Sequence, residues 1–219
     1  MLHIFDCDGV LVDSEILVCR IESELLCDVG VGLSPEEIAA TFVGLSDAEM
    51  HRRIEQEWEI RLPPDFSARK TARVEKVLEG ALRPVAGVPA LLRTLDTRRC
   101  VASSSALPRI RRSLTATGLS AFFEPHLFSA SMVTDGKPAP DLFEYAAASM
   151  DADAVECVVV EDSVYGITAA RAAGMYVIGF TGGAHCGPVL AADLRRAGAH
   201  EITRDAAELG LALTRSTPS

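Results

Sequence analysis

The second half of the chain alternates short apolar runs with longer segments of helical periodicity. Strands that are apolar along their whole length are typical of a parallel sheet covered by helices on both faces. The predicted strands are residues 100–103, 124–129, 157–160 and 176–180, with a weaker one at 200–202, and the predicted helices are residues 88–95, 107–117, 141–150 and 164–173. This alternation predicts a doubly wound α/β core.

The N-terminal part has a different pattern. A first apolar run at the N-terminus predicts one more strand of the sheet. Residues 14–82 then show helical periodicity, with Ser14 or Asp13 as the N-cap of the first helix, and no segment among them has a convincing strand pattern. We therefore expect a core formed by residues 1–13 and 83–219, and an inserted all-helical domain formed by residues 14–82.

The composition argues against several classes of partner. The chain has 219 residues, with 21 Lys and Arg against 31 Asp and Glu, and its formal net charge of −10 opposes binding to nucleic acid or to an anionic membrane. The six cysteines include no Cys-x-x-Cys pair, which argues against a zinc site and for a reducing compartment. Because neither a signal-peptide pattern nor a membrane-spanning apolar stretch is found, we expect a cytoplasmic protein. No feature indicates an obligate protein partner.

Carboxylates directly follow two of the predicted strands. Asp6 and Asp8 come at the end of the first strand, and Glu161 and Asp162 at the end of the fourth. Ligands of open α/β sheets bind beyond the carboxyl ends of the strands, so we expect these side chains to lie close together. Clustered carboxylates repel one another unless a cation lies between them, and oxygen ligands suit Mg²⁺. The alternatives are structural: a solvated Asp-Gly turn at Asp8 and helix capping by Asp162.

Two further segments supply groups that suit a phosphate. Ser103, Ser104 and Ser105 lie at the end of the second strand just before a helix, where hydroxyls and free backbone N–H groups bind anions. Lys137 lies in a loop stiffened by two prolines and could hold a phosphate beside the carboxylates. The alternatives are a helix-capping serine and a solvated loop lysine. A carboxylate can attack a bound phosphorus while a second acid moves the protons, so the set predicts two-step phosphoryl transfer.

Four segments of the chain together resemble the four motifs of the haloacid dehalogenase superfamily. They are Asp6-Cys7-Asp8-Gly9-Val10-Leu11-Val12-Asp13-Ser14, Ser103, Gly136-Lys137-Pro138 and Glu161-Asp162-Ser163, in the family's order and spacing. Within this superfamily the chain looks like the β-phosphoglucomutase-like phosphatases. The resemblance implies a Rossmann-like parallel sheet core with an all-α helical cap domain inserted between the first two motifs.

The resemblance also implies the catalytic and metal-binding roles. Asp6 would be the nucleophile and a metal ligand. Asp8 would be the general acid and base, and a metal ligand through its backbone carbonyl. Lys137 would bind the phosphate and stabilise the carboxylates, and Asp162 with Glu161 beside it would be further metal residues. The implied cofactor is Mg²⁺.

Substrate binding is assigned by the same resemblance. Ser103 would bind the phosphate, with Ser104 next to it. In relatives of this type, the cap loop that corresponds to residues 43–46 faces the active site and helps to select the substrate. Gly44 and Ser46 are therefore further candidates for substrate binding.

The expected function is a Mg²⁺-dependent phosphatase that hydrolyses a small phosphorylated metabolite, a sugar or sugar-acid phosphate, through an aspartyl-phosphate. The alternative is a β-phosphoglucomutase. Against a mutase, the chain has Val18 where those enzymes carry a histidine and Asp47 where they carry an arginine, although Arg69, Lys70 or Arg73 could replace the missing cation. A hydrolytic dehalogenase is disfavoured because such relatives lack the second aspartate of the first motif. A non-catalytic sensing module is disfavoured by the complete set of catalytic side chains.

One histidine has two open interpretations. His185 follows the fifth predicted strand and could reach the rim of the site. An ordinary loop histidine is the interpretation that the sequence favours.

Overall fold

A six-stranded parallel sheet forms the centre of the protein in the computed structural model, which describes residues 1–42 and 47–215. The strands are β1 (Leu2–Phe5), β2 (Arg98–Ser103), β3 (Leu127–Ser129), β4 (Cys157–Glu161), β5 (Tyr176–Phe180) and β6 (Glu201–Thr203). Their order in the sheet is β3-β2-β1-β4-β5-β6, with β1 paired to β2 on one side and to β4 on the other. This is a doubly wound order whose reversal point lies between β1 and β4. The predicted Rossmann-like core is confirmed.

Helices cover both faces of the sheet. Those of the core are α5 (Val88–Thr94), α6 (Leu107–Ala116), α7 (Asp141–Ser149), α8 (Val164–Ala172), α9 (Leu190–Ala197) and α10 (Ala206–Arg215). Phe5 of β1 packs into the apolar cluster lined by α5, α6 and α10, whereas its neighbour Ile4 packs into the cluster lined by α7, α8 and α9. Side chains of a strand alternate between the two faces, so β1 is buried on both sides and its carboxyl end is held firmly.

The segment between β1 and α5 is helical, as predicted. It contains α1 (Glu15–Cys27), α2 (Pro35–Phe42), α3 (Asp47–Glu57) and α4 (Phe66–Ala81), and none of its described residues belongs to a strand of the sheet. Leu25 and Phe66 pack in the cluster that joins α1 to α4, and a buried ion pair of 2.5 Å links Lys70 to Glu22. Across the described part of the chain, no helix is both long enough and apolar enough to cross a membrane.

Several element boundaries and two missed helices distinguish the observed core from the predicted one, and β2 begins two residues earlier than predicted, at Arg98. The third strand begins at Leu127 and not at residue 124, because the N–H of His126 donates to the carbonyl of Phe123 over 2.7 Å and forms a turn there. The weak strand at 200–202 is real and shifted by one residue. Helices α9 and α10 lacked a clear sequence prediction.

Candidate active site

A cavity of 1030 Å³ opens beyond the carboxyl ends of β1, β2 and β4. Helix α4 forms part of the opposite wall, with Lys70 and Thr71 among its lining residues. The predicted residues of the core all line this one cavity: Asp6, Asp8, Ser103, Ser104, Lys137, Glu161 and Asp162. The two remaining candidates, Gly44 and Ser46, lie outside the described residues.

Lys137 joins the two carboxylate-bearing strand ends. Its Nζ atom lies 2.6 Å from Oδ1 of Asp6 and 2.6 Å from Oε1 of Glu161, and it also donates to the carbonyl of Ala102 over 3.0 Å. The ammonium group lies 4.9 Å from the ring centroid of Phe143. With only 4% of its side chain exposed, Lys137 is not a solvated loop lysine.

The carboxylates of the cavity outnumber the cations beside them. Burial raises the pKa of Asp6 well above its usual value, and the charges of Glu161, Asp162 and Asp8 raise it further, whereas Lys137 opposes the shift. Burial alone would lower the pKa of Lys137, but Asp6 and Glu161 raise it. Negative charge from neighbouring carboxylates contributes to both shifts. The site can therefore accommodate additional positive charge.

Three donors hold the side chain of Asp8 against the cavity wall. The hydroxyl of Ser14 donates to Oδ1 over 2.5 Å and that of Ser105 to Oδ2 over 2.6 Å, while Nη2 of Arg109 lies 3.4 Å from Oδ1. Ser14 occupies the N-cap position of α1, as predicted, but its side chain makes no capping hydrogen bond. Its hydroxyl serves Asp8 instead.

Sequence reasoning placed Ser105 beside Ser103 and Ser104 at this edge of the sheet, but it did not select Arg109 or Glu15, which also line the cavity. Burial, followed by the charges of Asp8 and Asp162, raises the pKa of Glu15 to about 7. Glu15 directly follows Ser14, the last residue of the first motif, so its position next to that motif was a usable signal. The sequence gives no reason to select Arg109 among the arginines of α6.

The serines after β2 do not cap α6. The N-cap of that helix is Ala106, which makes no side-chain capping bond. The buried hydroxyl of Ser103 accepts from the backbone N–H of Ser105 over 3.1 Å, and Ser104 is exposed to the cavity. Ser103 and Ser104, the two serines predicted to bind phosphate, are thus present at the cavity wall.

The two acids after β4 have different surroundings. Glu161 has both oxygens engaged, since Oε1 accepts from Lys137 and Oε2 accepts from the N–H and the hydroxyl of Ser163, each over 2.9 Å. Ser163 caps α8 by accepting from the N–H of Gly166. Asp162 lies instead against His185, with Nε2 3.1 Å from Oδ2. Capping in this segment is therefore performed by the serine.

His185 is a buried partner of the site and not an exposed loop residue. Only 2% of its side chain is accessible. Burial alone would lower the pKa of His185, but hydrogen bonds to Asp162 and Cys186 raise it to about 11. Burial also raises the pKa of Asp162, and His185 opposes that shift.

The donor set fits a magnesium ion with few protein ligands. Lys137 contacts Oδ1 of Asp6 and His185 contacts Oδ2 of Asp162, which leaves the other oxygen of each carboxylate for a cation. Among the described residues, no group of three or more acidic, His or Cys side chains forms a ready-made cation site. Mg²⁺ does not need one, because it commonly takes one or two carboxylates and completes its shell with waters and a substrate phosphate.

Comparisons with known proteins show which family the chain resembles. Residues 3–180 match the profile of the family described as haloacid dehalogenase-like hydrolase. The chain is 30% identical over 187 residues to the 6-phosphogluconate phosphatase of Escherichia coli (strain K12), and the match covers 85% of each protein.

Two solved structures resemble the whole chain. A haloacid dehalogenase-like protein of unknown function from Agrobacterium tumefaciens str. C58 has a TM-score of 0.94 and 40% identity, covering 98% of this chain and 97% of that one. A HAD family hydrolase from Deinococcus radiodurans R1, solved with bound phosphate and sodium, has a TM-score of 0.86 and 32% identity, covering 98% and 95%.

The sheet, the inserted helices and the acid-lysine cavity define a hydrolase of the phosphatase type, which confirms the enzyme class predicted from the sequence. The chain belongs to the haloacid dehalogenase-like hydrolase family.

The buried position of Lys137 generates a stability prediction. The substitution Lys137→Met should lower the free energy of unfolding by about 3 kcal/mol at pH 7 without divalent cations. The reason is that Asp6 and Glu161 lose the buried ammonium that pairs with both of them. Urea unfolding followed by circular dichroism measures the change. Lys76→Met, at an exposed lysine of α4, is the matched control and should alter stability by less than about 0.5 kcal/mol. Equal stabilities of the two variants would contradict this account of Lys137.

Proposed function

We propose that the protein is a Mg²⁺-dependent phosphatase that hydrolyses a small phosphorylated metabolite through an aspartyl-phosphate on Asp6. One observation carries the proposal: Lys137 lies 2.6 Å from both Asp6 and Glu161, and Asp8 faces the same cavity from two residues along the chain. This arrangement supplies a nucleophile, a cation for the phosphate and an acid-base group within one small volume.

In the first step, a carboxylate oxygen of Asp6 attacks the phosphorus atom of the ester. The bond between phosphorus and the ester oxygen breaks, and Asp8 donates a proton to the leaving alkoxide. Lys137, already beside Asp6, stabilises the charge on the transferring phosphoryl group. Ser103 and Ser104 bind phosphate oxygens at the end of β2.

In the second step, water attacks the phosphorus of the aspartyl-phosphate. Asp8, now a carboxylate, accepts the proton of that water, and the bond between phosphorus and the Asp6 oxygen breaks to release inorganic phosphate. The Asp8 side chain acts as an acid in the first step and as a base in the second. It is held at the cavity wall by Ser14, Ser105 and Arg109.

Phosphatases of this family are generally metal-dependent. Asp6 and Asp162, with the backbone carbonyl of Asp8, would hold Mg²⁺, and Glu161 would support the site through Lys137 and Ser163. The ion, when bound, supplies positive charge that neutralises the carboxylates and the substrate phosphate.

A sugar or sugar-acid phosphate is the substrate class that fits best. A relative that matches over most of the chain is a 6-phosphogluconate phosphatase, and a solved structural neighbour holds phosphate. The cavity offers Lys70 and Arg109 as polar contacts beyond the phosphate site. We retain as proposals a core of residues 1–13 and 83–219, a cap of residues 14–82 that supplies the α4 wall, and a cytoplasmic location.

The cap cations support a phosphatase more than a mutase. Arg69 pairs with Asp28, the C-cap residue of α1, and Arg73 pairs with Glu24 within that helix. Lys70 lines the cavity, but it is paired with the buried carboxylate of Glu22. An ammonium that is already neutralised is a weak anchor for the second phosphate that a mutase must hold.

The metal requirement is testable directly. Enzyme treated with a chelator should lose activity on a generic aryl phosphate, because the cation that offsets the excess of carboxylates is removed. Adding Mg²⁺ should restore the rate, and Ca²⁺ should inhibit it, since its larger size and looser coordination misplace the nucleophile. Released inorganic phosphate is the readout. Full activity after thorough chelation would refute the metal site.

A second experiment separates hydrolysis from isomerisation. With β-glucose 1-phosphate and a catalytic amount of the 1,6-bisphosphate, the enzyme should release inorganic phosphate and form little glucose 6-phosphate, because Lys70, the cap cation that lines the cavity in the described part of the chain, is already paired with Glu22. Both products are followed in time, with Asp6→Asn as the blank. Rapid isomerisation with negligible phosphate release would establish the mutase instead.

A further inference from the structure

The loop after β5, residues 181–186, is packed tightly onto the turn that follows β1. The N–H of Ala184 donates to Oδ1 of Asp13 over 2.7 Å. A Cβ atom added to Gly183 would lie 2.6 Å from the carbonyl oxygen of Gly9, so only glycine allows this approach. The loop is therefore held directly beside the residues that carry Asp6 and Asp8.

His185 extends from this loop into the space between the two acidic strand ends. A Cβ atom added to Gly9 would lie 1.8 Å from Oδ2 of Asp162 and 2.8 Å from Cε1 of His185, so both side chains rest against the Gly9 backbone. The side chains of His185 and Asp162 are 2% and 6% exposed, and Nε2 lies 3.1 Å from Oδ2. Backbone on one side and carboxylate on the other fix the imidazole ring.

The contact between His185 and Asp162 restricts the orientation of the Asp162 carboxylate. A hydrogen bond to Oδ2 restricts rotation of the Asp162 carboxylate and leaves Oδ1 as its other oxygen. Metal-ligating side chains commonly have such an outer partner, which sets their orientation and is needed for full metal affinity. A histidine that only anchored the loop would have no reason to contact a carboxylate lining the catalytic cavity, since Ala184 and Asp13 already anchor it.

We propose that His185 is a positioning residue for the metal site: by donating from Nε2 to Oδ2, it orients the carboxylate of Asp162 so that Oδ1 is available to Mg²⁺. The inference rests on the proposed function, in which Asp162 is a metal ligand. His185 touches neither the substrate nor the reacting atoms and acts through Asp162.

The test measures Mg²⁺ binding to the full-length protein without substrate, by calorimetric titration, so that the readout does not depend on turnover. His185→Leu should weaken Mg²⁺ binding by about 10-fold to 100-fold. His185→Gln, whose side-chain amide nitrogen lies as far from the backbone as Nε2, should recover most of the affinity. His185→Asn, whose amide is too short to reach Oδ2, should bind Mg²⁺ as weakly as the leucine variant.

A double-mutant cycle shows whether the effect passes through Asp162. Asp162→Asn should weaken Mg²⁺ binding by itself, and adding His185→Leu to it should cause no further loss. Wild-type Mg²⁺ affinity in both His185→Leu and His185→Asn would overturn the inference while leaving the proposed function intact. Wild-type affinity in Asp162→Asn would instead overturn the metal site, and the role of His185 with it. Additive losses in the double variant would show that His185 does not act through Asp162.

Discussion

The buried contact between Lys137, Asp6 and Glu161 is the interaction on which the rest of the site depends. Two buried carboxylates at neighbouring strand ends repel each other, and one ammonium within 2.6 Å of both makes their proximity possible. One lysine does not neutralise the whole group, because Asp8 and Asp162 add further negative charge. In the proposed function, the remaining excess of negative charge would favour a cation and, through that cation, a phosphate.

The sheet topology explains why these groups meet. β1 lies between β2 and β4, so the carboxyl ends of all three strands open onto the same cavity. Burial of β1 on both faces fixes Asp6 and Asp8 relative to Asp162. The helices inserted after β1 then place α4 across from the sheet edge, where its side chains can contact the part of a substrate beyond the phosphate.

The parts of the site that follow directly from strand ends could be predicted from sequence, because apolar strands and their C-terminal residues are visible as a pattern. Asp6 and Lys137 are examples. Residues that reach the site only through long-range packing could not be predicted. In the sequence, Arg109 cannot be distinguished from the other arginines of α6, and His185 cannot be distinguished from an ordinary loop histidine. Ser14 is a third case. Its N-cap position was predicted correctly, but its hydroxyl donates to Asp8 and does not cap α1, and the sequence did not indicate that partner. The loop of residues 43–46 was predicted to face the site and stays a prediction.

The central claim, a covalent aspartyl-phosphate on Asp6, is tested most directly by separating its formation from its breakdown. An aryl phosphate whose leaving group needs no proton should still phosphorylate Asp8→Asn, which then lacks the base that activates water. The account predicts a burst of about one equivalent of phenol followed by a stall, and borohydride reduction of the acid-quenched enzyme should convert Asp6 alone to homoserine, as read by peptide mass spectrometry. Steady phenol release with no burst, or reduction at a residue other than Asp6, would contradict it.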